Sequence, residues 1–554
     1  MSSRFVETLR PALAALRLTL ADPELRPLMV AYLAGNAGRW AFMVTTLVLA
    51  YQEGGAVAIG ILGLARFVTP TIVAPFTGLP TVRWRPEVVL RGANVIRTLA
   101  IGLAIWSVAA GLPIELLYLA VAIEAGAGAL HRPLHMALLP AIVQTPAQLI
   151  AANVASSAAE GLGTFLGPAL AGILLVTVGP VGAMVAVMII YGLGVLAIAR
   201  VHVPAVGRSD VTVRAVMDQL SAGVRAAIHL PGPRVLLVDL GLQTLVRGLL
   251  TVLLVVAAIE TLHMGEGGVG TLNAALGLGG LVGAVLAITL AGRQRLTPAF
   301  VVALAAWGAP LAVIGLVPQP AVAIGAMLAV GLANSFVDVA AFPLLQRTTP
   351  NESRIAVLGL VDSVAGAGVA VGGIVAPVLL DGLGITGAMI VAGLILPATA
   401  LLSWPLLRRV NEGGPAVARR VDLLRGEPLF TPLSLATVEH LASHLTPLTA
   451  EDGAWLMREG EPGLDYVLVE TGDIEVLQGG HRRALLGPGA GVGEIALLRD
   501  VPRTATVSAR TDAVVFALDR ESFLTAVSGH RFSERTLDNL ATERSAREPA
   551  APMG

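Results

Sequence analysis

Two charged residues near the C-terminus, Glu494 and Arg503, stand among small residues whose types suit the capture of an oxyanion. The run Gly493-Glu494-Ile495-Ala496-Leu497-Leu498 reads as a turn into a short helix. Such a helix aims the free backbone N–H groups of Ile495 and Ala496 at an anion, and Gly493 allows close approach. Further along, Pro502-Arg503-Thr504-Ala505-Thr506-Val507 supplies a guanidinium able to grip two oxygens at once, a hydroxyl on Thr504 and a thin wall at Ala505. A second set of candidates is spread through apolar stretches: Arg39, Arg66, Glu124, Arg132, Glu160, Asp239, Arg247, Asp338 and Asp362. A charge inside a membrane helix costs about 2.5 to 3.5 kcal/mol on insertion scales, so each needs a partner or a task.

The elements that must hold the first set are short. Residues 454–457, 466–469 and 474–477 are apolar runs separated by Gly460-Glu461-Pro462-Gly463, Gly472 and Gly479-Gly480, a spacing that predicts a small β-barrel or jelly roll. Phe430-Thr431-Pro432-Leu433-Ser434 followed by Val438-Glu439-His440-Leu441-Ala442 reads as an entry helix, and a closing helix is expected within 520–544. Together with the Gly493 to Val507 cassette, this stretch of about 115 residues resembles the cyclic-nucleotide-binding domain. The resemblance implies a phosphate site at Gly493, Glu494, Ile495, Ala496, Arg503, Thr504 and Ala505, with Glu494 accepting the ribose 2′-OH. It also implies a purine cap from the closing helix, for which Phe523, Leu524, Leu537 and Leu540 are candidates. Val492 stands where the family commonly has phenylalanine. Thr504 leaves cAMP and cGMP both open as the regulatory ligand, and cAMP is favoured. No other cofactor is expected.

The rest of the chain is of another kind. With 55% hydrophobic and 14% charged residues among 554, the chain is an integral membrane protein. The absence of cysteine excludes disulfides and thiolate metal sites, and the formal net charge of -1 gives no reason to expect nucleic acid as a partner. A hydrocarbon core of roughly 30 Å takes about 20 apolar residues per helix. About twelve such runs emerge, near 28–50, 56–80, 93–111, 113–138, 150–178, 181–201, 235–259, 268–291, 297–316, 320–345, 355–380 and 384–407. Arginines cluster in alternate connections: Arg4, Arg10, Arg17 and Arg26 before the first run, Arg83, Arg85 and Arg91 after the second, Arg208, Arg214, Arg225 and Arg234 after the sixth, then Arg293, Arg295, Arg354, Arg408 and Arg409. The intervening connections carry only Glu53, Glu260, His263, Glu266 and Asp381. This pattern predicts both termini on the cytoplasmic side of the cell membrane.

The two halves echo each other: Arg39 and Glu53 correspond to Arg247 and Glu260, Pro133 and Pro140 to Pro343 and Pro350, and Gly167 and Gly179 to Gly372 and Gly384. Two six-helix halves joined by a long loop is the build of the major facilitator superfamily, and residues 26–408 resemble its drug and siderophore exporters. Gly163-Thr164-Phe165-Leu166-Gly167-Pro168-Ala169-Leu170-Ala171-Gly172 is similar to that family's antiporter motif, with packing as the alternative reading. Gly78-Leu79-Pro80-Thr81-Val82-Arg83 keeps the family's loop but has Val82 for its carboxylate, which removes the usual gating charge.

The expected fold is therefore an all-α membrane domain of about twelve helices, two six-helix pseudo-repeats, plus a C-terminal α+β cyclic-nucleotide-binding domain with a β jelly roll. Expected boundaries are a cytoplasmic amphipathic lead-in at 1–25, helical halves at 26–202 and 234–408 around a loop at 203–233, a basic linker at 409–428 lying against headgroups, the sensor at 429–545 and a disordered tail at 546–554. Among the intramembrane charges Glu124 and Glu160 are expected deepest. Glu160, in a run of Ala and Gly, is the first candidate for proton coupling, with neutralisation of Arg39 or Arg132 as the alternative. Asn36 and Gln243 lie one turn before Arg39 and Arg247, and these four, with Asp239, Asp338 and Asp362, are candidates for lining a substrate cavity. His131 and His135 share a helix face but read as a partly solvated helix end, not a metal site. The function expected is export of a small molecule under cyclic-nucleotide control. A non-transporting membrane receptor is the alternative, and nothing in the chain suggests an enzyme.

Overall fold

In the computed structural model, residues 19, 21–143, 145–201, 213–287, 296–349, 351–433 and 435–527 are described. Arg4, Arg10, Arg17, Arg208, Arg293, Arg295, Leu537, Leu540, most of the lead-in and the C-terminal tail lie outside them. The chain divides into two units, Met1–Arg408 and Arg409–Gly554.

The first unit is helical: α1 (Leu25–Val73), α2 (Pro80–Arg83), α3 (Pro86–Ala109), α4 (Ile114–Gly128), α5 (His131–Ile142), α6 (Pro146–Ala199), α7 (Val213–His229), α8 (Pro231–Val256), α9 (Gly265–Ala287), α10 (Leu296–Leu316), α11 (Pro320–Thr348) and α12 (Asn351–Gly426), the last entering the second unit. Among the described residues nine helical stretches are long and apolar enough to cross a membrane. Three of them contain non-helical backbone: Gly54 and Gly55 within α1, Gly179 within α6 and Gly384 within α12. The entry to α6 is set by local chemistry. Thr145 and Gln148 form a reciprocal capping box, and Pro146 occupies the first turn, where its missing N–H costs nothing.

The core of this unit is apolar side chains from nearly every helix, including Phe42, Val48, Leu253, Phe300, Trp307 and Leu396. Large apolar residues also face outward: Val176, Leu401 and Leu402 are 72%, 76% and 75% exposed. Such a surface needs a lipid solvent. The small residues of α6 let helices meet: a Cβ on Gly163 would lie 2.7 Å from Asn36 Cβ, and one on Gly167 would strike the Ala37 carbonyl. Gly372 of α12 meets the Leu245 carbonyl of α8 in the same manner. One expected helix is divided: the run 113–138 breaks at Ala129 and Leu130 into α4 and α5.

The second unit is an eight-stranded antiparallel sandwich with short helices. Its strands are β1 (Thr446–Ala450), β2 (Trp455–Met457), β3 (Asp465–Thr471), β4 (Ile474–Gln478), β5 (His481–Leu486), β6 (Gly491–Val492), β7 (Thr506–Ala509) and β8 (Ala513–Asp519). They pair in the orders β1-β8-β3-β6 and β2-β7-β4-β5, the two sheets of a jelly roll. Val467, Val469, Ile474, Val507 and Val515 alternate inward to fill it. Outside the sandwich, α13 (Leu435–His444) and α15 (Arg520–Val527) pack with Phe430, Tyr466 and Phe523 in a second core.

That core includes Val421 and Leu424 at the end of α12. The basic linker was expected to lie on headgroups, but from Arg419 onward it belongs to the sandwich. Arg419 pairs with Glu470 at 3.1 Å, while Arg420 donates to the Leu445 carbonyl at 3.1 Å and covers the Phe516 ring. The apolar Val421 and Leu424 decide this placement, because they bury only against the domain.

Candidate nucleotide site and membrane charge sites

The expected phosphate cassette assembles. β6 ends at Val492, Gly493 takes a left-handed φ of 104°, and α14 (Glu494–Arg499) begins at Glu494. Only glycine fits at 493. Its positive φ disfavours a side chain, and an added Cβ would lie 2.6 Å from Arg503 Nη1. Arg503, between β6 and β7, is 8% exposed and Glu494 is 9% exposed. Arg503 Nη1 donates to the Gly493 carbonyl at 3.2 Å and Nη2 to the Asp465 carbonyl at 2.6 Å. Burial lowers its pKa, while the carboxylates of Asp465, Glu494 and Glu461 act in the opposite direction. From so high a starting point it stays cationic. Thr504 is exposed and Ala505 half-buried beside it, so the hydroxyl and the thin wall face outward. A guanidinium fixed by two carbonyls, a buried carboxylate and a helix start converge here, the set a cyclic phosphate and its ribose require.

Sequence reasoning missed a support behind the cassette. Glu427, at the end of α12 and 5% exposed, accepts the Gly491 N–H at 3.1 Å and so ties the strand that leads into Gly493. The cap candidate Phe523 is corrected: it is fully buried and stacks on Tyr466 at 5.0 Å, so it is a core residue, and Leu524 packs against the same core.

In the helical unit the charges sort into clusters. Glu124 is fully buried, and both its oxygens are engaged: Oε2 by Arg66 at 3.1 Å, Oε1 by Arg97 at 2.9 Å and by the Tyr191 hydroxyl at 2.8 Å. Arg97 and Tyr191 were not among the sequence candidates. The Glu160 side chain is 35% exposed, lies 3.7 Å from Arg132 and accepts the Tyr32 hydroxyl at 3.3 Å. Tyr32 stacks on the rings of His131 and His135 at 5.3 and 3.8 Å. The histidine pair is corrected as well. Both rings are buried, at 7% and 1% exposure, and His135 Nε2 meets Ser156 Oγ at 2.8 Å. The sequence did not reveal this because the covering ring comes from α1, a hundred residues away in the chain. No group of metal-binding side chains occurs among the described residues.

In the other half, Gln243 donates to Asn334 at 3.1 Å, Trp307 Nε1 does so at 3.1 Å, and Asn334 donates to Asp338 at 2.8 Å. Arg247 lies within electrostatic reach of Asp338, and Asp338 of Glu160 in the other half. Among the described residues, Asp239 is 1% exposed with Oδ2 unpartnered, and Asp362 is exposed with no ion pair. At the arginine-poor ends, Tyr51 donates to Glu260 and Gln52 to Glu266, joining the halves there.

Fold and site together define a multi-pass helical membrane body carrying a ligand-binding jelly roll. Comparison with known families agrees with both parts. Residues 236–455 match the Major Facilitator Superfamily and residues 447–530 match the cyclic nucleotide-binding domain. The chain joins a Major Facilitator Superfamily region to a C-terminal cyclic nucleotide-binding domain. Among curated proteins it is similar to the acetyltransferase Pat of Mycolicibacterium smegmatis, 42% identical over 109 residues (19% of this chain, 32% of that protein), over the nucleotide-binding region only. It is also similar to the cAMP-dependent protein kinase regulatory subunit of Yarrowia lipolytica, 38% identical over 102 residues (18% of this chain, 27% of that protein). The chain thus spans about a third of the length of these relatives. Among solved structures, the regulatory domain of Toxoplasma gondii PKA with cAMP aligns at 22% identity with a TM-score of 0.23, covering 25% of this chain and 56% of that one.

Proposed function

We propose that this chain is a secondary transporter, a proton-coupled exporter of a small molecule, whose conformational balance is biased by cAMP, with cGMP as the weaker ligand. It is not an enzyme. The observation that carries the reading is the Gly493, Glu494 and Arg503 constellation in the same chain as a helical membrane body that keeps charges inside its apolar helices. Reading the breaks at Gly54–Gly55, Gly179 and Gly384 as connections between crossings turns nine stretches into twelve helices. The matched glycine contacts of α6 with α1 and of α12 with α8 support two pseudo-repeats. The arginine pattern supports cytoplasmic termini, which puts the sensor where cyclic nucleotides are made.

Glu160 is the proton-coupling residue of this reading, since it is the carboxylate in the first half that is both reachable and held by a titratable partner, Tyr32. Antiport through the Gly163 to Gly172 motif belongs to the same reading. Coupling of about 1 to 3 kcal/mol between nucleotide and transport states suffices for a 5- to 150-fold response. Proteoliposome flux measured with and without cAMP, for wild type, Glu160→Gln and Arg503→Ala, tests it. Flux is expected in the wild type, its cAMP response is lost in Arg503→Ala, and proton coupling is lost in Glu160→Gln. A receptor moves nothing in any sample.

A further inference from the structure

We infer that the first half of the helical unit contains a binding site for an oxyanion, a carboxylate or phosphate group on the transported molecule, framed by Arg39, Trp40 and Arg97. The inference deepens the transporter reading and rests on it. The observations are of two kinds, a surplus of positive charge and a surplus of donors.

Arg39, Arg66 and Arg97 lie within electrostatic reach of one another and of a single carboxylate, Glu124. Glu124 is committed to Arg66, Arg97 and Tyr191, so it has nothing left for Arg39. The side chain of Arg39 makes no ion pair or hydrogen bond among the described residues, and its guanidinium lies 5.4 Å from the Trp40 ring centroid. Glu160 is engaged by Arg132 and Tyr32, and Asp338 accepts from Asn334 within electrostatic reach of Arg247. Local carbonyls are spent too: the Gly35 carbonyl accepts from Arg97 and the Arg39 carbonyl from Arg66.

The donors left over are nitrogen atoms. Arg97 Nη1 and Trp40 Nε1 are buried without a hydrogen-bond partner, and Arg97 is 1% exposed. His131 is within electrostatic reach of both Arg97 and Arg39, and its ring is hydrogen-bonded to the Tyr32 backbone, so it stands beside the site without adding to the spare donors. The one buried oxygen without a partner, among the described residues, is Asp239 Oδ2 in the other half. A buried guanidinium nitrogen, an indole N–H and an unpaired arginine beside them are costly unless an acceptor of negative charge arrives. A cation or a neutral amide would leave the surplus standing, whereas an oxyanion satisfies charge and donors at once.

The test uses the full chain in nanodiscs of neutral phosphatidylcholine, titrated with benzoate, inorganic phosphate and the uncharged analogue benzamide. Tryptophan fluorescence, with Trp40 beside the site, and thermal melting are the readouts. At least one anion is expected to bind saturably and raise the melting temperature, and benzamide to do neither. Arg39→Gln should raise the Kd by roughly tenfold or more and Arg39→Lys by less. Arg39→Gln is expected to fold, because Arg39 has no ion pair to lose, and Trp40→Phe is a second variant that removes one donor without charge. Equal binding of benzamide, or unchanged anion binding in both Arg39→Gln and Trp40→Phe, overturns the site. Arg39-dependent anion binding in a protein that moves nothing upholds the site and overturns the transporter reading. Flux that neither anion competes with overturns the site and leaves transport standing.

Discussion

Replacing Arg503 by alanine is the sharpest perturbation of the sensor. At rest the guanidinium spends Nη1 on the Gly493 carbonyl at 3.2 Å and Nη2 on the Asp465 carbonyl at 2.6 Å, in a site where it is 8% exposed. A cyclic phosphate offers two charged oxygens to the same fork, worth about 1.5 to 3 kcal/mol each, or about 3 to 6 kcal/mol for the pair. If both carbonyl bonds are surrendered, about 2 kcal/mol is returned, leaving about 1 to 4 kcal/mol. That corresponds to a loss of cAMP affinity of roughly fivefold to a thousandfold on removal of the side chain. Isothermal titration of the full-length protein with cAMP measures it. Because alanine also orphans two carbonyls, the melt of the variant is followed in parallel. A folded Arg503→Ala protein that binds cAMP within about threefold of wild type would refute the assignment of Arg503 as the phosphate ligand.

Other outcomes follow from the same contacts. Glu427→Ala leaves the buried Gly491 N–H without its acceptor and is expected to cost about 1 to 3 kcal/mol in the C-terminal unit, read by denaturant melts, with Glu427→Gln costing less. A fragment beginning at 409 is expected to be more stable than one beginning at 425 by about 3 to 6 kcal/mol, because the shorter one loses buried Val421 and Leu424. Glu124→Ala strands Arg66 and Arg97 and is expected to cost about 3 to 5 kcal/mol, seen as lost expression or a lowered melting temperature. Glu160→Gln, at a half-exposed position, is expected to leave stability within about 1 kcal/mol while removing proton-coupled flux.

How much of this was legible in the sequence depended on how local the physics is. The cassette was readable because its parts are set by short-range chemistry: Gly493 supplies a conformation, Glu494 starts a helix, and Arg503 returns to them after one loop. The glycine breaks near 54, 179 and 384 are local in the same sense, and the helix boundaries drawn from hydropathy fall at them, whereas the capping box at Thr145 starts its helix four residues before the expected boundary at 150. Strands β1 and β5 mix polar and apolar residues without clean alternation and were not singled out, and neither was β8, a continuous apolar run whose pattern does not separate strand from buried helix.

Partners within the membrane were not readable, and the reason is geometric. Glu124 could have been neutralised by Arg39, Arg66 or Arg132 on charge alone. The helix crossings select Arg66 and Arg97 and leave Arg39 out, with Tyr191 arriving from far along the chain to close the cluster. Arg97 was overlooked because it sits near the start of an apolar run with no acidic residue at helical spacing; its partner is 27 positions away on the next helix. Hydropathy ranks a residue by its own cost of insertion, but in a helical bundle that cost is cancelled by neighbours that helix packing alone brings near. The same logic makes Arg39 the informative residue of the set. A guanidinium that no neighbouring side chain hydrogen-bonds is one the protein keeps for something that comes and goes, and the transported molecule is what comes and goes at this position in the proposed mechanism.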